Sequence, residues 1–257
     1  MSVRTNSQHH VARGGKTGYG ASVGILMLDT VFPRIPGDFG NTATWPFPVM
    51  YRVVRGASPH RLVREQAAGL LNAFIESGKQ LDADGADGLT TTCGFLSLFQ
   101  AELAQAVDVP VATSSLMQVP MVQKLLPPGK RVGVLTVSRE NLTPDHLSAA
   151  GAPPDTPIAG TETGREFFQF IMENRLNMNA AACRLDLLDA GRQLVDDHPD
   201  VGAVVLECTN MGPYASELRR ELGIPVFSGI SFINWFQSGL LPPIYRGITT
   251  DPREPTG

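Results

Sequence analysis

Residues 89–98 read LTTTCGFLSL and residues 204–213 read VVLECTNMGP. Each stretch closes a strand-like run, the first with three threonines and the second with Glu207, directly before a cysteine, and each is followed by a helical stretch and a Pro-Val strand. Cys93 pairs with Cys208, Glu102-Leu103 with Glu217-Leu218, and Pro110-Val111 with Pro225-Val226, all without a gap at one offset of 115 (208 − 93). A second match, SVGIL at 22–26 against RVGVL at 131–135, aligns Gly24 with Gly133 at an offset of 109 (133 − 24). The chain therefore restarts midway, as an internal duplication of one α/β unit.

Working outward, short β-rich runs alternate with longer stretches of helical period, the pattern of a parallel α/β sheet. Strands are expected at 22–28, 87–92, 109–113, 131–137, 202–207 and 224–228. A long helix is expected at 59–80, opened by Ser58-Pro59, where serine can cap and proline suits the first turn. Further helices are expected at 95–107, 115–126, after Thr143-Pro144, near 162–173 and 179–197, at 212–222 and over SFINWFQSGL. The stretch 30–56 reads as a loop over the end of the first strand. Its Phe32, Phe39, Trp45 and Phe47 either line a pocket or cover the core.

With 257 residues, 42% hydrophobic and 18% charged, the chain suits one large domain or two lobes. A net charge of −4 without a lysine/arginine block makes nucleic acid and anionic membrane poor partners. No apolar stretch approaches the ~18 residues of a membrane helix. The polar N-terminal stretch shows no apolar segment of the kind a secretory signal carries, and with the odd cysteine count this leads us to expect free thiols in a reducing cytoplasm. Residues 1–20 read as a loose tail. GGKTGYG at 14–20 lacks the first glycine of a phosphate loop and precedes the first strand, and His9-His10 has no ligand cluster nearby. The acidic run at 82–87 lacks the calcium-loop spacing and reads as a turn.

In parallel α/β sheets, ligands bind beyond the carboxyl ends of the strands. Cys93 and Cys208 both stand at such ends, each before a helix start. Thr92, Gly94, Thr209 and Asn210 beside them offer donors to a carboxylate. If two duplicated lobes face each other, the thiols enter one cleft from two sides, one removing an α-proton and the other delivering one. A lone buried cysteine is commonly mere packing; two at duplicate positions point to function. Cys183 lies inside an amphipathic helix without a counterpart, since the equivalent position is Ala68, and reads as packing. Cys93 and Cys208 form no Cys-x-x-Cys pair, so a metal site is not expected.

These residues resemble the aspartate/glutamate racemase superfamily, which includes aspartate, glutamate and hydantoin racemases, maleate cis–trans isomerase and arylmalonate decarboxylase. The resemblance runs over roughly 21–240 and rests on Leu28-Asp29-Thr30, Thr92-Cys93-Gly94 and Cys208-Thr209. It implies two pseudo-symmetric α/β lobes with parallel sheets and a cleft between them, no cofactor, and a homodimer. It divides the chain into a tail at 1–20, lobe 1 at 21–115 plus 228–250, and lobe 2 at 116–227. It further implies that Asp29 and Thr30 hold a substrate amino group while Thr92, Gly94, Thr209 and Asn210 bind carboxylate. Arg34 is the candidate cation for a second carboxylate, against the alternative of a solvated loop arginine.

Two departures bear on the substrate. The aspartate and glutamate racemases carry Cys-Asn-Thr at the first site, where this chain has Cys93-Gly94-Phe95, and Asn210 stands where glutamate racemase has histidine. The decarboxylase keeps only the second cysteine. The expected activity is thus a cofactor-independent racemase or epimerase acting on a small-molecule carboxylate through Cys93 and Cys208. The alternatives are a cis–trans isomerase with a nucleophilic cysteine and a non-catalytic two-lobed binder.

Overall fold

The duplication folds as two parallel sheets of four strands in the same order. In lobe 1, β1 (Val23–Leu28) lies between β2 (Val49–Val54) and β3 (Gly88–Thr91), with β4 (Val111–Ala112) outside β3. In lobe 2, β5 (Arg131–Leu135) lies between β6 (Ile158–Ala159) and β7 (Val201–Leu206), with β8 (Val226–Phe227) outside β7. The computed structural model describes residues 14–243. Central strands are covered on both faces, which is why β1, β5 and β7 read as nearly unbroken apolar runs; in β3, GLTT, the buried Thr90 and Thr91 hydroxyls donate to Ala112 O and Thr113 O. Gly24 and Gly133 occupy equivalent places: a Cβ on either would press into leucines of the overlying helix, Leu81 at 3.2 Å and Leu194 at 2.9 Å.

The helices are α1 (Pro59–Val63), α2 (Leu71–Asp84), α3 (Gln100–Ala106), α4 (Val119–Gln123), α5 (Pro144–Ala149), α6 (Phe167–Met172), α7 (Ala180–Asp197), α8 (Ala215–Leu222) and α9 (Gly229–Leu240). Tight 3₁₀ turns, Gly94–Phe99 and Thr209–Tyr214, lead from each cysteine towards α3 and α8. Phe232 and Ile233 of α9 pack with Val23, Ile25 and Ala112, so the last helix returns to the first lobe.

The expected helix over 59–80 is two helices. Ser58 caps α1 through the Arg61 N–H, but Gln66, Ala67 and Gly69 adopt φ of 50°, 57° and 72°, and left-handed backbone cannot continue a right-handed helix. The expected loop 30–56 contains β2, an edge strand whose half-buried residues give no alternation to read. The two-residue β6 was likewise too short to signal itself. Helix starts expected at 95, 115 and 212 are first 3₁₀ and then α. Of the expected tail, residues 16–18 are tied down: Lys16 pairs with Asp87 at 2.6 Å and Gly18 N–H bonds Asp84 O at 2.9 Å. His9-His10 and the end of the chain from 244 lie outside the described residues. Among the described residues, no helix is long and apolar enough to cross a membrane, and no three His, Cys, Asp or Glu side chains group as metal ligands.

Candidate active site

Cys93 and Cys208, one from each lobe, line one small cavity at the carboxyl ends of β3 and β7. Its volume is about 20 Å³, no more than one water needs, so a substrate enters only as the lobes or side chains part. Lobe 1 contributes Leu28, Phe32, Val63 and Phe95 to the walls, and lobe 2 contributes Val137 and Ile171. Ile171 is held by its helix start: buried Asp186 of α7 accepts the N–H groups of Arg165, Glu166 and Phe167 at 2.7–2.8 Å, capping α6 from outside. A larger groove of about 480 Å³ runs beside edge strand β6 and contains none of the candidate residues.

The two thiols are not equivalent. Burial pushes both well above the ordinary thiol range, and the nearby Glu207 carboxylate pushes the same way. The opposing effect differs. Cys93 faces two backbone N–H groups, of Phe95 and Leu96, which favour a thiolate. Cys208 faces one, of Asn210, and its Sγ also lies 3.5 Å from Asn210 Oδ1, to which only a protonated thiol can donate.

The orientation of Asn210 is imposed from lobe 1. Its Nδ2 donates to Asp38 Oδ2, an acceptor, which leaves the amide oxygen to face Cys208. Asp38 is itself held by Arg34 Nη1 at 2.7 Å and by the Gly40 N–H at 2.7 Å, and Arg34 Nη2 donates to Thr30 Oγ1 at 2.8 Å. The lobes meet closely at Gly37, whose φ of 99° suits glycine and where a Cβ would stand 2.9 Å from Pro213 backbone atoms. Arg34 is thus a largely shielded partner of buried Asp38, stacked 4.7 Å over Phe32, and lies outside the cavity lining.

Glu207 belongs to no motif among the expected site residues, yet among the cavity's lining residues it is the one charged side chain. It is 1% exposed. Thr136 Oγ1 donates to its Oε2 at 2.8 Å, and the Val137 N–H also bonds it. Burial outweighs both bonds and raises its carboxyl to about 7. Its Oε1 occupies the space a Cβ on residue 94 would need, and its backbone oxygen would be 2.6 Å from that Cβ. Gly94 therefore exists where Glu207 does. A charged residue closing the buried run VVLE was the signal in the sequence. Asp38 gave none, because its partner lies 172 positions away.

Asp29 turns to Arg55 Nη1 and the Gly56 N–H, both at 3.1 Å, and is not in the cavity lining. Thr92 lines it, with its hydroxyl accepting the Leu28 N–H at 3.0 Å. The Thr209 hydroxyl donates to Thr92 O at 2.9 Å and ties the lobes together. Of the loop aromatics, Phe32 reaches the cavity, while Phe39, Trp45 and Phe47 form a ladder of rings (4.9 and 5.6 Å) beneath α9. Cys183 is fully buried in the lobe 2 core, with its thiol raised to about 12 by burial. Buried His146 packs edge-on at 5.0 Å against Phe95, and burial lowers it to about 4.

Two matched lobes with a cysteine from each in one cavity define a class of enzyme fold, and the sequence comparison agrees. The chain belongs to the Asp/Glu/hydantoin racemase family, whose model matches residues 57–235. It is similar to a dimethylsulfoniopropionate lyase of Durusdinium sp. clade D, 25% identical over 91% of this chain and 77% of that one. It is also similar to dimethylsulfoniopropionate lyase 7 of Emiliania huxleyi, 28% identical over 86% of this chain and 67% of that one. Among solved structures, allantoin racemase from Klebsiella pneumoniae shares the fold, with a TM-score of 0.63 at 18% identity, over 86% of this chain and 88% of that one.

Proposed function

We propose that this chain is a cofactor-independent lyase that takes the α-proton of a small carboxylate and expels a leaving group from its β-carbon. Cys93 is the base and Cys208 acts as a neutral thiol donor. The observation that carries this reading is the inequality of the thiols. A racemase running in both directions needs two groups that exchange roles, whereas here Asn210 presents an acceptor to Cys208 while Cys93 faces two N–H donors. An elimination needs one base.

The relatives' names make dimethylsulfoniopropionate the first substrate to test. In that reaction the bound sulfonium favours ionisation of Cys93, whose thiol proton passes to water; the thiolate then takes a proton from C2, and the C–H electron pair becomes the C2=C3 bond. The C3–S bond breaks with its pair going to sulfur, which leaves neutral dimethyl sulfide, acrylate and the Cys93 thiol.

The test is purified protein with dimethylsulfoniopropionate in D₂O, followed by headspace chromatography for dimethyl sulfide and proton NMR for acrylate. Cys93→Ala should lower release by about 10²–10⁴-fold. Wild-type protein that releases no dimethyl sulfide, or Cys93→Ala at full rate, refutes the reading. The racemase reading keeps one observation in its favour: both lobes place a thiol at equivalent strand ends in one cavity. It predicts α-proton loss from amino acids or hydantoins in the same NMR experiment, without a vinyl signal.

A further inference from the structure

We infer that Glu207 is the counter-charge of an onium site: the cavity takes the permethylated, positively charged end of a zwitterionic substrate against this carboxylate, and Gly94 keeps the space for it. The choice of substrate rests on the lyase reading; the site itself is read by binding alone.

Three carboxylates are buried among the described residues, Asp38, Asp186 and Glu207. Asp38 has Arg34 at 2.7 Å, and Asp186 has Arg165 at 3.5 Å besides its three N–H groups. Glu207 has a hydroxyl and one N–H, and among the described residues no cation lies within ion-pair distance. Burying a carboxylate without a cation is costly. Its being the cavity's one charged side chain means that a bound cation would meet it undiluted.

The walls choose the kind of cation. A primary ammonium needs up to three hydrogen-bond acceptors; Phe32, Val63, Phe95, Val137 and Ile171 offer none, and the lining oxygens of Thr92 and Asn210 are already engaged by the Leu28 N–H and the Cys208 thiol. A sulfonium or quaternary ammonium needs hydrocarbon around its methyl groups and one opposite charge. It also cannot shed its charge by losing a proton, so it must bind the ionised carboxylate. Burial sets Glu207 at about 7. Onium binding should therefore be strongest above pH 7 and weaken by about tenfold for each pH unit well below it, with uptake of the ligand releasing a proton. The thiols of Cys93 and Cys208 are the other titratable groups facing Glu207, and both stay protonated across this range without ligand. Asp38 and Arg34, from the loop against Asn210, are paired to each other.

The test is calorimetry on the whole chain with 3-(trimethylammonio)propanoate and 4,4-dimethylpentanoate, which share a shape and differ in one charge. At pH 8 the cationic ligand should bind at least about tenfold more tightly, and Glu207→Gln should abolish that preference. Thr136→Val, which removes the hydroxyl supporting Oε2, should move the pH midpoint of the preference upward and keep the preference at pH 9. Equal affinities in the wild type, no binding of either ligand, a preference surviving Glu207→Gln, or an unmoved midpoint in Thr136→Val each overturns the proposal. Absence of dimethyl sulfide release alongside an intact charge preference would instead overturn the lyase reading alone.

Discussion

Glu207→Gln should make the protein more stable at pH 8 and leave it unchanged at pH 4. The carboxyl moves from an ordinary 4.5 to about 7 on folding. At about 1.4 kcal/mol per pH unit, folding favours the protonated form by about 3 kcal/mol. Because the folded value is raised, that stability is fully present below pH 4.5 and is lost as pH rises through 7. His146 works oppositely: lowered from 6.5 to about 4, it contributes stability above pH 6.5 that is lost as pH falls through 4, again about 3 kcal/mol. Between pH 4.5 and 6.5 the two slopes oppose and nearly cancel. Glu207→Gln removes one of them, so the variant's stability should gain on the wild type's with rising pH across that window. Urea denaturation at half-unit steps from pH 4 to 8.5 measures this, with the wild-type curve subtracted so that other carboxylates drop out. The difference should grow from near zero at pH 4 to about 3 kcal/mol at pH 8. A difference curve flat from pH 4.5 to 7.5 would refute the account of Glu207 as an uncompensated buried acid, and the onium site with it.

Two further variants separate the site's supports. Gly94→Ala places a Cβ against Glu207 Oε1 and 2.6 Å from its backbone oxygen. That oxygen also accepts from Ser115 Oγ at 3.0 Å and its own N–H bonds Leu135 O at 2.8 Å, so the strand cannot yield. The expected cost is about 1–3 kcal/mol, read as a lower urea midpoint, and an unchanged midpoint contradicts the packing described. Arg34→Ala leaves Asp38 buried without its cation, which should cost about 3–5 kcal/mol, and Arg34→Ala/Asp38→Ala together should recover part of it. A double variant no more stable than the single would show that the pair is not coupled.

The duplication was legible because its evidence is local. One offset joined Cys93 to Cys208, and apolar runs bounded by Pro and Gly announced the central strands of both lobes. Elements that depend on a partner were not legible. β2 is an edge strand whose residues are half-buried from one side, and the α1–α2 break lies in positive φ angles that Gln66 and Ala67 do not advertise. Arg34 read as a candidate substrate cation because no sequence pattern reveals a buried carboxylate four residues on that already holds it.

The sequence by itself determined that there are two like halves, each offering a cysteine at the end of a strand, since helical and strand periods and a constant offset are properties of neighbours along the chain. The inequality of those cysteines was decided only when the lobes closed. Asp38 reaches across to turn Asn210, and Glu207 fills the space Gly94 vacates. Both are contacts between residues more than 100 positions apart, and packing, not patterning, chose which polar groups would be buried together.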